Sequence, residues 1–215
     1  MRTPRAAKAP PPETRERILD AALSAFAEMG YEGATTREIA SHANVPQGLL
    51  RYHFGGKLQL WKAAVDRAFD DIHAGLNVSS DTPLDRNDPL APVRAAIRAH
   101  VRYVAQHPEF VRLMHAEGKR RSPRMRWLVD RHVKPMFARL EKLIQYLQKV
   151  NRLPADIAPM HFAYSLIGAI DVIFHQSEEC RRVTGVDPTD SSVVESHFRA
   201  VEYMLLGPPP VEPSS

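Results

Sequence analysis

The chain has 215 residues, with 29 Lys and Arg against 25 Asp and Glu, one Cys and 18 Pro. Hydrophobic residues at 44% and charged residues at 25% are globular proportions, which excludes collagen-like, wholly disordered and coiled-coil chains. The lone Cys180 excludes an intrachain disulfide and any multi-cysteine metal site.

No run approaches roughly 18 consecutive apolar residues, and the basic, Pro/Ala-rich start lacks the apolar core of a signal peptide. A cytoplasmic protein without a membrane partner is therefore expected. The formal charge of +4 is unevenly placed. Residues 112–142 hold 10 basic and 3 acidic groups, or +7, whereas residues 13–57 hold 5 and 6, or −1.

In chain order, residues 1–12 carry Arg2, Arg5 and Lys8 with no acid and end in three prolines, the composition of a disordered basic arm. Ile18, Leu19, Ala22, Leu23, Phe26 and Ala27 then mark one face of a helix that stops at Gly30. Thr35, three residues before Glu38, is a capping-box signature for a short second helix to about Ala43. Asn44-Val45-Pro46 reads as a tight turn, with Pro46 able to open a third helix that runs to about His53. Gly55-Gly56 ends it. A long fourth helix starts near Lys57 and runs through Ile72.

Residues 77–89 read as a loop. Val93, Ile97, Val101 and Val104 mark a fifth helix, and Phe110 to Met114 a short sixth. From Met125 to Val150 the apolar positions keep phase, which predicts one long helix kinked at Pro135. Residues 156–180 are apolar nearly all round and must be covered on most sides. A last helix spans 190–206, before a loose Pro-rich tail from 207 to 215. The expected fold is all-α, with about nine helices. It divides into an arm (1–12), a helix-turn-helix domain (13–57), a larger helical domain (58–206) and a tail (207–215).

Three short helices in about forty residues, the last two joined by a tight turn, describe a helix-turn-helix, whose second helix enters the DNA major groove. The residues are more specific than the shape. Gly30-Tyr31-Glu32-Gly33-Ala34-Thr35-Thr36-Arg37-Glu38-Ile39-Ala40, followed by Val45-Pro46-Gln47-Gly48-Leu49-Leu50-Arg51-Tyr52-His53-Phe54-Gly55-Gly56-Lys57, closely resembles the TetR family of bacterial regulators. The chain departs from the family at Pro46, often Ser there, at Leu49, and at Arg51, where Tyr is usual.

The resemblance implies a homodimer on a palindromic double-stranded DNA operator, acting as a repressor that a small-molecule effector releases. It gives Thr35 and Thr36 to a phosphate at a helix N-terminus, and Arg37 to backbone or base. Gln47 suits an adenine edge and Arg51 a guanine or phosphate. Gly48 allows close backbone approach, Tyr52 and His53 offer bonds to phosphate, and Lys57 is a phosphate-contacting lysine. The helices at 156–180 and 190–206 become the dimer elements.

In the second half, Phe110, Met114, Trp127, Tyr164 and Phe174 are candidate pocket residues, although such side chains at helical spacing are usually core. Asp171 and His175, four apart, with His161 nearby, fit a hydrogen-bonded pocket network better than a metal site. The basic stretch 112–142 is by default a solvated face, with an acidic ligand as the sharper alternative. No cofactor or metal is expected. A helical-bundle enzyme and a nonspecific architectural DNA binder stand as alternatives. Against the first, the chain has no Gly-x-Ser-x-Gly, phosphate-binding glycine loop or His-Glu-x-x-His. Against the second, the helix-turn-helix is near neutral.

Overall fold

The computed structural model describes residues 12–80 and 90–207, so the arm with Arg2, Arg5 and Lys8, most of the 77–89 loop and most of the tail lie outside the described residues. Every regular element among them is helical. None of these helices is long and apolar enough to cross a membrane. The chain divides into two compact units, Met1–Phe69 and Asp70–Ser215.

The first unit contains α1 (Pro12–Gly33), α2 (Thr36–His42), α3 (Gln47–Phe54) and the start of α4 (Lys57–Ser80). The apolar face of α1 is buried as its spacing requires, with Ile18, Leu19, Ala22 and Phe26 at 0–1% exposure. At Gly30 the backbone leaves helical geometry (φ 69°), a conformation that glycine adopts without steric cost, and α1 continues beyond it only as a short turn. Tyr31 stacks on Phe26 and sets its ring edge-on to buried Trp61. Arg67 of α4 is ion-paired with Glu16 and Asp20 of α1. Pro46 is the N-cap of α3, without a side-chain bond, and Gln47 is the first helical residue, where the third helix was expected to begin.

The second unit holds the rest of α4 with α5 (Ala91–Gln106), α6 (Pro108–Gly118), α7 (Pro123–Leu128), α8 (Lys134–Lys149), α9 (Pro159–His175), α10 (Ser177–Thr184) and α11 (Ser191–Leu206). Between α7 and α8, Val129–Val133 is π-helical, with the Lys134 N–H reaching back five residues to the Val129 carbonyl. Pro135 explains the widening. It has no N–H to offer, and its ring would meet the Arg131 carbonyl of a regular turn. The expected kink is thus a π-turn. α9 packs against α5, α6, α8, α10 and α11, as its near-continuous apolar surface demands. The single helix expected over 156–180 is two, because the chain turns at Gln176 (φ −102°, ψ 37°).

The polar groups inside this unit are few and costly. Glu117 is 3% exposed, with the Arg124 guanidinium 3.4 Å from one oxygen and no hydrogen bond to the other. His175 stacks on His115 with ring centroids 4.1 Å apart, and its Nδ1 is buried without a hydrogen bond. Burial pulls the His175 imidazole below its ordinary value. His115, Lys119 and Arg112 add to the depression, and Asp171 opposes it.

Two outcomes follow from these groups. Arg124→Leu should cost about 3–5 kcal/mol in urea unfolding, because it strands a buried carboxylate. The Glu117→Leu/Arg124→Leu pair should cost less than that single change, and a larger loss in the pair would refute the assignment. For His175, the unfolded chain binds the proton more readily than the folded one. Stability should therefore fall as pH drops through the ordinary histidine value of 6.5 and level off once the folded imidazole is protonated too. His175→Gln should flatten that part of a pH–stability curve, and an unchanged slope would show that His175 does not produce it.

Candidate nucleic-acid interface and effector cavity

The N-terminus of α2 is closed by a complete capping box. The Thr35 hydroxyl donates to Glu38 Oε2 at 2.7 Å and accepts the Glu38 N–H at 3.2 Å, while the Thr35 N–H donates to the same carboxylate at 3.0 Å. The bond from the Thr35 hydroxyl, then that from its backbone N–H, holds the Glu38 carboxyl below its usual range. The Thr35 side chain is thereby committed within the box. What this helix end offers outward is the pair of N–H groups at its first two positions, Thr36 and Arg37, which have no partner within the helix. The Thr36 hydroxyl accepts a bond from the Gln47 amide at 3.3 Å, tying the starts of α2 and α3 together.

Between these helix starts and the Gly55–Lys57 turn lies a concave surface of about 810 Å³. Its lining includes Thr35, Thr36, Gln47, Gly48, Arg51 and Lys57, six of the nine expected DNA-contacting residues, and no acidic side chain. Gly55, at φ 72°, allows the sharp turn from α3 into α4 and lines the same surface with Gly56. The paired glycines were legible in the sequence only as a stop. The Lys57 ammonium sits 4.7 Å from the Tyr31 ring centre and donates to the Glu32 carbonyl at 3.2 Å, so its position is fixed. A side chain at Gly48 would meet no atom of the chain within 4 Å, so nothing inside the protein requires glycine there.

The other three expected residues lie outside this surface. Arg37 is exposed on α2. Tyr52 is 63% exposed, with its ring edge-on to His53. His53 turns inward, its Nε2 buried without a hydrogen bond.

In the second unit a predominantly apolar cavity of about 250 Å³ opens among α5, α8, α9 and His73 of α4. Its walls include Ile97, Phe137, Leu140, Leu166, Ile167 and Ile170, with His73, His100 and Arg139 as the polar groups. None of the seven expected effector residues is in that lining. Phe110 and Phe174 are core, at 6% and 0% exposure, the latter with His197 edge-on. Met114 is half-buried on α6, and Trp127 packs against His132 and Arg131. Tyr164 is 64% exposed, with its ring beside Phe137.

Asp171 and His175 share one face of α9 but face different partners, His100 at 3.7 Å and the His115 ring respectively. His161 is exposed. Among the described residues no three His, Cys, Asp or Glu side chains are arranged to hold a metal. The lining residues went unnoticed in the sequence because Leu140 or Ile167 carries the same periodic signal whether it faces a neighbour or a cavity.

The chain matches two family models, one described as "Bacterial regulatory proteins, tetR family" over residues 18–64 and one as "Tetracyclin repressor-like, C-terminal domain" over residues 89–204. It is 32% identical over 105 residues to the HTH-type transcriptional activator FasR of Mycolicibacterium smegmatis, covering 49% of this chain and 47% of that protein. It is 29% identical over 106 residues to the HTH-type transcriptional repressor NicS of Pseudomonas putida, covering 49% and 48%. The chain thus spans about half the length of the curated relatives it matches.

Among solved structures it resembles the ketosteroid transcriptional regulator KstR2 of Mycobacterium tuberculosis, with a TM-score of 0.71, 18% identity, and 93% of this chain and 96% of that one covered. It also resembles the fatty acid degradation regulator FadR of Bacillus halodurans, with a TM-score of 0.61, 18% identity, and 90% and 96% covered. At such identities the structural likeness is one of fold alone. The family models span both halves of the chain, which belongs to the TetR family of bacterial transcriptional regulators.

Proposed function

We propose that this chain is a homodimeric, sequence-specific DNA-binding repressor, released from a palindromic operator by a small-molecule effector bound in its second unit. The observation that carries the DNA-binding half is the concave surface at the starts of α2 and α3, which gathers Gln47, Gly48, Arg51 and Lys57 and contains no acid. α3 is the recognition helix. Gln47 and Arg51 read base edges in the major groove, and Gly48 lets the helix backbone approach the duplex. The free N–H groups at the start of α2 and the Lys57 ammonium hold phosphates, with Arg37 and Tyr52 as outlying contacts.

Dimerisation is supported by what α9 and α11 leave uncovered. Met160, Tyr164 and Val172 follow one stripe of α9 at intervals of four and eight residues, at 46–64% exposure, and Met204 of α11 is 74% exposed. Large apolar side chains grouped in this way mark an interface, and a two-fold axis lets the same patch cover itself. A palindrome requires the two recognition helices to lie about 34–36 Å apart. An effector that prefers another spacing weakens DNA binding by its difference in affinity for the two states. One relative is named an activator and the other a repressor. A reporter fused to the chain's target promoter fixes the sign, since deletion of a repressor raises transcription.

Purified protein should bind its own upstream DNA more tightly than a scrambled duplex at two salt concentrations, and equal affinity for both would defeat the proposal. Lys57→Ala should weaken both complexes and lower the salt slope by about one unit, whereas Gln47→Ala should narrow the gap between them. Gly48→Ala should stabilise the free protein by up to about 1 kcal/mol through helix propensity and still weaken operator binding. Val172→Glu combined with Met204→Glu should shift the protein from dimer to monomer in sedimentation experiments. A dimer of unchanged strength would exclude the α9–α11 surface.

A further inference from the structure

Beside the start of α7 the second unit gathers positive charge on a concave surface that the effector cavity does not use. We propose that this surface binds an organic polyphosphate, a small molecule carrying two or more linked phosphate groups on an apolar or aromatic body. It shares no lining residue with the apolar cavity, so the site does not rest on the effector role assigned there.

The concavity, of about 700 Å³, lies between the stretch 120–122 and one stripe of the continuous α7–α8 helix. Arg126, Asp130 and Lys134 follow that stripe at intervals of four, and Arg120 and Arg121 line the surface from the preceding turn. Lys134 donates to Asp130 at 2.6 Å, which leaves that pair neutral. Arg120, Arg121 and Arg126 are exposed and have no acidic partner among the described residues. Three like charges on one small surface repel one another, and an anion that meets all three removes the repulsion. The turn that presents them is held in place. Arg124 pairs back to buried Glu117 at 3.4 Å, the Arg120 N–H donates to the Glu117 carbonyl at 2.9 Å, and the Ser122 hydroxyl accepts the Met125 N–H at 3.0 Å. A backbone already ordered loses little freedom when a ligand arrives.

A guanidinium pairs through two parallel bonds with a phosphate or a carboxylate, so the charge to be matched decides between ligands. A single phosphate monoester brings a charge of about −2 at neutral pH, and a carboxylate brings less, so either leaves an arginine unanswered. Two or three linked phosphates answer all three within one small molecule. The rest of the surface is apolar: Pro123 is exposed, and Met125 and Val129 are half-buried. Those side chains suit the ring or chain that carries the phosphates, and an inorganic polyphosphate would leave them against water.

The test titrates the full chain calorimetrically, at low salt and without metal, with ATP, AMP, inorganic tripolyphosphate and a hexaglutamate peptide. ATP should bind at least about tenfold more tightly than AMP, and more tightly than tripolyphosphate or the peptide. Arg120→Gln combined with Arg121→Gln should weaken ATP binding at least about tenfold, and Arg126→Gln should weaken it as well. These side chains are exposed, so the variants keep their helical circular dichroism. Arg182→Gln, which removes one charge from an exposed position on α10, should leave ATP binding unchanged. ATP binding that is absent, no tighter than AMP or tripolyphosphate, or undiminished in the double variant would overturn the inference. So would tighter binding of the peptide, which would give the surface to an acidic protein segment. DNA binding of the same variants is measured without nucleotide. A loss there would assign the arginines to DNA and overturn the site, whereas unchanged DNA affinity with lost ATP binding supports it.

Discussion

A helix with apolar side chains on nearly every face cannot stand in water, and the second unit is organised around covering α9. Five helices pack on it, and the cover is incomplete in two places. Inside, α5, α8 and α9 leave the apolar cavity beside Leu166, Ile167 and Ile170. Outside, Met160, Tyr164 and Val172 remain on the surface. One helix therefore supplies a wall of the cavity proposed for the effector and part of the surface proposed for the dimer. That arrangement makes the proposed coupling physically economical: a ligand that alters how α9 seats against α5 and α8 also alters the helix that meets the second copy.

The first unit solves a different problem, which is to hold a few polar groups still. Thr35 and Glu38 bond to each other through three hydrogen bonds, and this keeps the start of α2 fixed. Gln47 is tied to Thr36, and Lys57 to Tyr31 and the Glu32 carbonyl. Side chains already held in place lose less freedom when they meet a ligand, so a small, weakly charged surface can still discriminate.

Much of this was legible in the sequence wherever local chemistry decides the outcome. Gly30, Gly55 and the Thr35–Glu38 pair act over one turn, and their elements start and stop where the residues require. Six of the nine residues expected to meet DNA line one concavity, because their positions follow from spacing on α2, α3 and the start of α4. The turn at Gln176 was less legible, since the apolar run of α9 leads directly into Ser177 and Glu178 without a Gly or Pro to mark the break. The cavity was not readable at all. Phe110 and Phe174 were expected to face a ligand and are core, while Leu140 and Ile167 resemble core and line the cavity. Periodicity tells which face of a helix is buried, and only tertiary packing tells what lies against it.

The uneven charge finds its explanation at the same level. The ten basic groups of residues 112–142 are not all gathered on one surface. Arg124 neutralises buried Glu117, Lys134 pairs with Asp130, Arg131 lies over the Trp127 ring, and Arg112 has its Nε buried near His175. Arg120, Arg121, Arg126 and Lys134 do share a concave surface, with Asp130 as its one acidic lining residue. The helix-turn-helix, formally −1, has no such excess, yet Arg51, in the last turn of α3, and Lys57, at the start of α4, line a concavity with no acid in it. A helix N-terminus adds about half a positive charge of its own and aims N–H groups at an anion. Net charge is therefore a poor guide to where this chain would meet DNA. At the proposed interface the field would be set by Lys57, Arg51 and the N–H groups at the start of α2, whatever the sum over the domain.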